Sequence, residues 1–357
     1  MTANELNLKA AVSCLERHIP FVLLALPGES DTLFFADPGH ECGSEITESF
    51  AVCPWLGRFS SARIIRAVMN AEEILEYSQK QDIAYHVSPV EHATDQSEYI
   101  VAVSQLIGRL KLRGGKAVYS RVETGSMADI DIARLVTLQF RSHPSTFRYL
   151  YFIPESGAWL GTSPEILLET DLKTGEFKTM SLAGTCRTDS KMSWDSKNIA
   201  EQGLVGQFIA EELRKEGIEF SVKRCEDVVF EPVRHICDVF SGHISRQQIA
   251  GLLDRLNPTP ALGGFPREEA LRDLAELEKH QRRDYGGYIG YRNSEREIYY
   301  VNLRCLNFDS RNYCIYAGGG ITASSVPAAE WAETQNKTEI LRQNIKKSCM
   351  SSNDYES

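Results

Sequence analysis

The sequence predicts a fold of the α+β (mixed α/β) class, in which mainly antiparallel strands are covered by long helices. Three strand-like runs in the last third of the chain are separated only by short polar turns, and such short connections force neighbouring strands to be antiparallel. These runs lie at 287–292, 297–306 and 312–318. Long amphipathic helices occur elsewhere, but strands and helices do not alternate regularly as in a Rossmann sheet.

The elements follow from hydrophobic spacing, taken in chain order. Apolar residues recur at helical spacing near 4–17, 63–79 and 97–112, and a polar-rich helix is predicted near 195–216. Strands are predicted at 116–122, 148–153 and 176–182, and Pro327 opens a last helix that continues to about Lys346. No linker rich in Pro, Gly and Ser interrupts the chain. We therefore expect one domain over 1–350 and a flexible tail at 351–357.

Composition excludes several classes of protein. The 357 residues are 42% hydrophobic and 25% charged, which is typical of a globular chain rather than a disordered one. With 39 Lys+Arg and 49 Asp+Glu the net charge is −10, which disfavours a nucleic-acid partner. The apolar run at 21–26 is too short for a signal peptide or a membrane span, so no membrane association and a cytoplasmic location are expected.

The last predicted helix carries a possible cation site. Glu330, Glu333 and Lys337 are spaced by three and four residues and therefore share one helix face. Two carboxylates one turn apart can hold Mg²⁺, and the ammonium one turn further on can meet a substrate anion. The same spacing also describes an ordinary solvated face with a Glu–Lys surface pair. Spacing alone favours the surface pair, and Glu201 on the 195–216 helix is equally ambiguous.

Two further residues lie where acid–base chemistry is plausible. Lys116 opens a strand directly after two glycines, and Glu165 precedes the apolar run at 166–168. Burial makes an ammonium easier to deprotonate and a carboxyl group harder to ionise, so the two could act as a base and an acid. Taken singly, each is more often an exposed charge at a strand end. The glycines at 318–320 could face an anion with their N–H groups, although three glycines after a strand more often form a tight turn.

Nine motifs in one order resolve these ambiguities. They are KAVYSR (116–121), GTSPEILLE (161–169), SLAGTCR (181–187), KNIAEQGLV (197–205), RHI (234–236), LNPTPALGGFPREEAL (256–271), DYGGYIGY (284–291), VNLRC (301–305) and YAGGGITASSVPAAEWAETQNK (316–337). In this order and spacing the sequence resembles the chorismate-utilising enzymes, the family of isochorismate, salicylate and anthranilate synthases. The resemblance spans residues 97–345, with 1–96 as a variable N-terminal part of the same domain. It implies large antiparallel sheets sandwiched by helices.

Within that family, three positions favour isochorismate synthase. Members that add water to chorismate resemble this chain in having a lysine at 116, where the ammonia-using members have glutamine. Ala183 stands where the aminodeoxychorismate type has a nucleophilic lysine. Ala261 stands where anthranilate and salicylate synthases have threonine. The resemblance thus implies conversion of chorismate to isochorismate, a step that feeds menaquinone or siderophore biosynthesis.

The resemblance also implies a role for each candidate residue. Lys116 would be the general base and Glu165 the general acid. Mg²⁺ would be held by Glu201 and Glu333, with Glu330 nearby. The substrate carboxylates would be bound by the remaining candidates, which are Gly184, Thr185, Tyr285, Arg304, Gly318, Gly320 and Lys337. Asn257 and Gln202 depart from the family's histidines, and we expect them to alter supporting hydrogen bonds rather than remove activity.

Alternative functions remain at this point. Salicylate synthase is the nearest, because it would go on to eliminate pyruvate from isochorismate. An anthranilate synthase component I is disfavoured by Lys116. A chorismate-binding subunit without turnover, dependent on a glutaminase, is disfavoured because all the proposed catalytic residues are present. We therefore expect chorismate as the small-molecule partner, no obligatory glutaminase subunit and a monomer.

Overall fold

The computed structural model describes residues 1–39, 47–77, 91–188, 194, 196–230 and 233–349. The tail predicted at 351–357 lies outside these residues. The helices are α1 (Ala3–Arg17), α2 (Ala71–Glu76), α3 (Gln96–Arg113), α4 (Ile132–Ser142), α5 (Ser196–Lys215), α6 (Gln248–Leu256), α7 (Arg267–Leu277) and α8 (Pro327–Lys347), with one 3-10 turn at Phe59–Ser61.

The strands of the first half of the chain are β1 (Phe21–Ala25), β2 (Leu33–Ala36), β3 (Ser49–Cys53), β4 (Arg63–Arg66), β5 (Lys116–Ser126), β6 (Phe147–Ile153), β7 (Gly157–Ser163) and β8 (Ile166–Asp171). Those of the second half are β9 (Glu176–Arg187), β10 (Phe220–Phe230), β11 (Val233–His243), β12 (Gly264–Phe265), β13 (Tyr288–Arg292), β14 (Arg296–Val301), β15 (Cys305–Phe308) and β16 (Asn312–Thr322).

These strands form two eight-stranded sheets. The first sheet has the order β12-β5-β16-β15-β7-β6-β1-β2, and the second has the order β10-β11-β9-β8-β14-β13-β3-β4. Neighbouring strands are antiparallel within both sheets, as the pairings of β5 with β16 and of β9 with β11 illustrate. The predicted fold class is therefore confirmed.

The two sheets pack face to face through aromatic side chains. Phe147 of the first sheet stacks on Tyr300 of the second, with 4.5 Å between the ring centroids and 11° between the ring planes. Both rings belong to a buried cluster that contains residues of both sheets. Apolar residues of α1, α4 and α8 pack on the outer face of the first sheet, and α5 packs beside β9 of the second. Helices therefore enclose the pair of sheets.

The prediction of a single strand at 297–306 is wrong. The chain leaves the second sheet at the end of β14, crosses, and enters the first sheet at β15. The crossing is held by Asn302, whose amide donates to the carbonyl oxygen of Asp284 at 2.9 Å and whose backbone N–H donates to Gly287 at 2.8 Å. Hydrophobic spacing did not reveal the break, because the residues on both sides of it are buried.

The helix predicted near 63–79 is also largely wrong. Arg63–Arg66 is the edge strand β4, paired antiparallel with β3, and among the described residues of this range, which end at 77, only α2 is α-helical; 78 and 79 lie outside the described residues. Asn70 starts that helix, since its side chain accepts hydrogen bonds from the N–H groups of Glu72 and Glu73. The isoleucines at 64 and 65 satisfy helical spacing, but β-branched residues also suit a strand, and pairing with β3 decides between the two.

A buried carboxylate, that of Asp284, ties the two sheets together. Its oxygens form an ion pair with Arg63 of the second sheet and accept from the hydroxyl of Tyr151 in the first sheet at 2.8 Å. The hydroxyl of Ser156 donates to it as well. One side chain thus joins β4 to β6 and places the segment that leads into Tyr285.

We expect Asp284→Ala to lower the free energy of unfolding by about 3 kcal/mol, because it leaves a partly buried guanidinium and two hydroxyl donors without their acceptor. Urea denaturation measures this. The matched control is Glu295→Ala, which removes an exposed pair with Lys173 and should cost less than about 1 kcal/mol. Equal losses in the two variants would contradict a special role for Asp284.

Candidate active site

A cavity of about 120 Å³ lies where the two sheets, α5 and α8 approach one another. Seven residues predicted as site residues line it, and they come from six separate segments of the chain. They are Glu165, Gly184, Tyr285, Arg304, Gly318, Gly320 and Lys337, and the predicted metal ligand Glu333 lines it too. The structure thus brings together residues that are far apart in the sequence.

Glu165 lies where the chain crosses from β7 of the first sheet to β8 of the second. Its carboxyl group is buried, and Oε1 has no hydrogen-bond partner among the described residues. Burial raises the pKa of Glu165 to about 8, and the nearby ammonium of Lys116 offsets only part of that rise. At neutral pH the side chain is therefore mainly protonated and can donate a proton into the cavity.

Lys116 is the first residue of β5 and is fully buried. It pairs with Thr322 of β16 on one side and with Phe265 of β12 on the other. Alternation along the strand places it on the same face as Val118, which lines the cavity. Lys116 and Glu165 therefore belong to the same buried region, although helix α4 and strands β6 and β7 lie between them along the chain.

Arg304 lies on the crossing between β14 and β15 and has a left-handed backbone with φ of 43°. Burial lowers the pKa of its guanidinium to about 10, and none of the described residues forms an ion pair with it. A desolvated cation is costly unless an anion accompanies it. The site therefore suits an anionic ligand.

His235 of β11 lines the cavity beside Arg304, although it was not predicted as a site residue. Its Nδ1 is 2.9 Å from the carbonyl oxygen of Gly184, and its Nε2 is 3.4 Å from Nη2 of Arg304. Burial and then the charge of Arg304 lower its pKa to about 3, so the ring is neutral. Since a guanidinium only donates, Nε2 accepts and Nδ1 donates. The RHI motif was the available signal, but only folding shows which residue faces Arg304.

Two glycines line the cavity at positions where a larger side chain would crowd its neighbours. Gly184 has φ of +72°, and a Cβ there would lie 3.2 Å from Cβ of Asn198 on α5. A Cβ on Gly318 would lie 2.8 Å from the hydroxyl of Tyr285, which stacks on Tyr316 with 5.5 Å between ring centroids. Larger residues at either position would displace the groups around the cavity.

The helix face predicted at α8 divides into two environments. Lys337 donates to the carbonyl oxygen of Gly318 at 2.9 Å and pairs with Glu333 at 2.8 Å, and both side chains line the cavity. Glu330 is buried, and its Oε2 would be 3.7 Å from a Cβ on Gly319 of β16. Glu333 thus lines the cavity, whereas Glu330 lies beside Gly319 and does not line it.

The α5 side of the site is described only in part, because the side chains of Thr185 and Glu201 lie outside the described residues. Asn198, three residues before Glu201, lines the cavity. The amide of Gln202 donates to Ser181 at 2.9 Å and to Asp238 at 2.7 Å, and so anchors α5 to the second sheet. Within the described residues, no group of three or more His, Cys, Asp or Glu is placed to hold a metal ion.

The other departure from the family pattern, Asn257, supports the backbone. Its amide donates to the carbonyl oxygen of Gly57 at 3.3 Å, and its own carbonyl accepts from the guanidinium of Arg267. Asn257 does not line the cavity. Like Gln202, it makes hydrogen bonds at a distance from the acid–base pair.

Comparison with known proteins places the chain in a family. Residues 56–346 match the family model described as chorismate binding enzyme, so the chain belongs to the chorismate binding enzymes. Isochorismate synthase EntC of Escherichia coli K12 is 32% identical over 241 residues, which are 63% of this chain and 61% of EntC. The vibriobactin-specific isochorismate synthase of Vibrio cholerae is 22% identical over 358 residues, covering 95% of this chain and 89% of that protein.

The fold is shared with a solved structure, that of MenF, the menaquinone-specific isochorismate synthase from Escherichia coli. The TM-score is 0.74 at 18% identity, and the match covers 91% of this chain and 88% of that one. At this identity the likeness concerns the fold. Separately, no helix in the described part of the chain has both the length and the apolar character that a membrane span requires.

We expect the raised pKa of Glu165 to make stability depend on pH. Between about pH 4.5 and pH 8 the folded protein keeps a proton that the unfolded chain releases, so this contribution to stability is complete at low pH and is lost as pH rises. Relative to Glu165→Gln, the wild type should therefore lose up to roughly 1.4 kcal/mol per pH unit across this range.

Urea denaturation at several pH values measures the difference between the two proteins. Glu169→Gln, at a half-buried position on the neighbouring strand β8, controls for the substitution itself. Stability curves for wild type and Glu165→Gln that stay parallel from pH 5 to about pH 8 would contradict a raised pKa for Glu165.

Proposed function

We propose that this protein is an Mg²⁺-dependent isochorismate synthase, an isomerase that converts chorismate to isochorismate. The observation that carries the proposal is the buried pair of Glu165 and Lys116 beside a cavity that also contains Arg304. Glu165 holds its proton at neutral pH, Lys116 is buried nearby, and the guanidinium of Arg304 has no ion pair among the described residues, which together suit proton transfer to and from an anionic substrate. The names of the relatives support the same activity.

Chorismate carries two carboxylates, and the cavity offers groups to bind them. Arg304 and Lys337 supply positive charge, and the hydroxyl of Tyr285 and the backbone of Gly184, Gly318 and Gly320 supply further polar groups. Thr185 would contribute from the same segment as Gly184. The neutral ring of His235 holds Arg304 without introducing a competing charge. Binding of the carboxylates would orient the ring between Lys116 and Glu165.

The reaction then needs one proton removed and one proton supplied. Lys116, in its neutral form, takes a proton from a water molecule as the water oxygen bonds to C2. The ring double bonds shift, the C4–O bond breaks, and Glu165 gives its proton to the leaving hydroxyl. One water enters and one leaves, so no oxidant, reductant or ammonia is needed. The burial that keeps Glu165 protonated is what enables it to act as the acid.

Mg²⁺ fits the donor set on the helix side of the cavity. Mg²⁺ prefers oxygen ligands and is often bound by only one or two carboxylates, with water in its other positions. The carboxylate of Glu333 lines the cavity, and we propose that Glu333 and Glu201 hold the ion, with Glu330 nearby beside Gly319. When bound, Mg²⁺ would neutralise negative charge on the ring carboxylate of chorismate.

Two small residues support water addition over the related chemistries. Ala183 and Ala261 both line the cavity. At the first position no side chain is available as a covalent nucleophile, and at the second no hydroxyl is present. Salicylate synthase is the alternative within the family, and it differs in releasing pyruvate. We further propose a monomer that works in the cytoplasm without a glutaminase subunit and supplies menaquinone or siderophore biosynthesis.

Purified protein incubated with chorismate and Mg²⁺ should form isochorismate, resolved by chromatography. Lys116→Met removes the ammonium and nearly preserves its length, so turnover should fall by about 10²-fold or more while the fold is kept. Lys111→Met, on the exposed face of α3, is the control and should keep full activity. Salicylate as product, or a strict need for ammonia, would overturn the proposal. Near-normal turnover in Lys116→Met would refute its role as base.

We expect Glu333→Gln to weaken Mg²⁺ binding by about tenfold or more, because a neutral amide replaces a charged ligand. Isothermal titration calorimetry with MgCl₂ measures this directly, and the Mg²⁺ dependence of turnover should shift in parallel. Glu339→Gln, on the exposed face of the same helix, is the matched control. An unchanged Mg²⁺ affinity would mean that Glu333 and Lys337 form only a helix-surface ion pair.

A further inference from the structure

A second cavity, of about 30 Å³, lies behind Arg304. Its walls are the C-terminal end of α4, the middle of α8 and strand β16, and Arg304, Tyr316 and Lys337 line both this cavity and the larger one. Arg304 therefore separates the two spaces. A group in the second cavity that contacts Arg304 would therefore influence how its guanidinium is oriented in the larger cavity.

His143 is the titratable side chain that faces this second cavity from the end of α4. It is 7% exposed, and its Nδ1 has no hydrogen-bond partner among the described residues. Burial, and then the charge of Arg304, lower the pKa of His143 to about 4, so the ring is neutral and one of its nitrogens can accept a hydrogen bond.

The position of His143 is fixed by its surroundings. Its carbonyl oxygen accepts from the hydroxyl of Thr146 at 2.9 Å. One turn earlier on α4, the side chain of Gln139 accepts from Asn344 of α8 at 2.8 Å. The end of α4 is thus tied to the helix that carries Lys337. The backbone that carries His143 is therefore held in place beside the cavity that Arg304 lines.

We propose that an ordered water molecule in the second cavity donates to Nδ1 of His143 and accepts from an N–H group of Arg304, which makes His143 a positioning residue for Arg304. A cavity needs roughly 10–15 Å³ of this measure to hold one water, so there is room. Both partners are polar and complementary, because Arg304 can only donate and neutral His143 can accept. The functional part of this inference rests on the proposed activity.

The guanidinium of Arg304 is therefore positioned from two sides. On the cavity side the guanidinium meets Nε2 of His235, and on the far side it meets the water held by His143. Loss of the rear contact leaves the charge and the site intact but lets the guanidinium take several orientations. Substrate binding should therefore weaken more than the chemical step slows.

High-resolution crystal structures of the wild type and of His143→Leu test the water site without relying on activity. We expect a water within hydrogen-bond distance of both His143 and Arg304 in the wild type, and its loss with a displaced Arg304 in the variant. Absence of that water in the wild type would overturn the proposal. So would replacement of its density by an anomalous signal after a bromide soak, which would identify an anion instead.

Steady-state kinetics with chorismate test the positioning role. We expect His143→Leu to raise KM about tenfold with kcat changed less than about twofold, and His143→Gln, which keeps an acceptor, to restore most of the loss. Ile340→Val trims the same cavity without removing a polar group and should behave as wild type. Equal effects of the Leu and Gln variants, or a loss confined to kcat, would overturn the positioning role. A wild type that does not turn over chorismate would refute the proposed function and leave the crystallographic test standing.

Discussion

The buried carboxylate of Asp284 is the interaction on which the arrangement of the site depends most. It connects Arg63 in one sheet with Tyr151 in the other, and its backbone carbonyl accepts from Asn302 on the chain crossing that follows β14. Tyr285 is its next neighbour, and Arg304 lies two residues after Asn302. Tyr285 and Arg304 both reach the cavity from segments that the hydrogen bonds of Asp284 hold in place. The same hydrogen bonds therefore align the two sheets and position these two side chains.

Desolvation sets the protonation states around the cavity. The same burial that raises the pKa of Glu165 lowers those of His235 and Arg304, since in each case it disfavours the charged form. The three groups nevertheless end in different states. The carboxyl group of Glu165 keeps its proton and the imidazole of His235 is neutral. The guanidinium of Arg304 stays charged but has no counter-ion among the described residues. An anionic ligand would supply that missing charge, so a protein with net charge −10 can still offer a site that favours an anion.

The position of the Arg304 side chain depends on its own backbone and on residues of two other elements. Its left-handed backbone fixes where the side chain leaves the crossing, His235 contacts it in the cavity, and His143 approaches from the second cavity behind it. The proposed acid–base pair is supported differently, since Lys116 and Glu165 lie at a strand start and a strand crossing where the backbone is held by sheet pairing. The proposed binding and proton-transfer groups thus depend on separate parts of the scaffold.

The sequence by itself determined the fold class, the family and eight of the residues that line the cavity, because turn spacing, helical periodicity and nine ordered motifs are local properties. It did not reveal that the run at 297–306 divides between two sheets, because buried residues on both sides of a crossing look like one strand. Nor did it reveal that Glu333 lines the cavity whereas Glu330 does not, since a helix face is defined only by what packs on it. The contact of His235 with Arg304, and the position of His143 in the cavity behind Arg304, were decided by tertiary structure alone, because the residues involved come from strands and helices far apart in the chain.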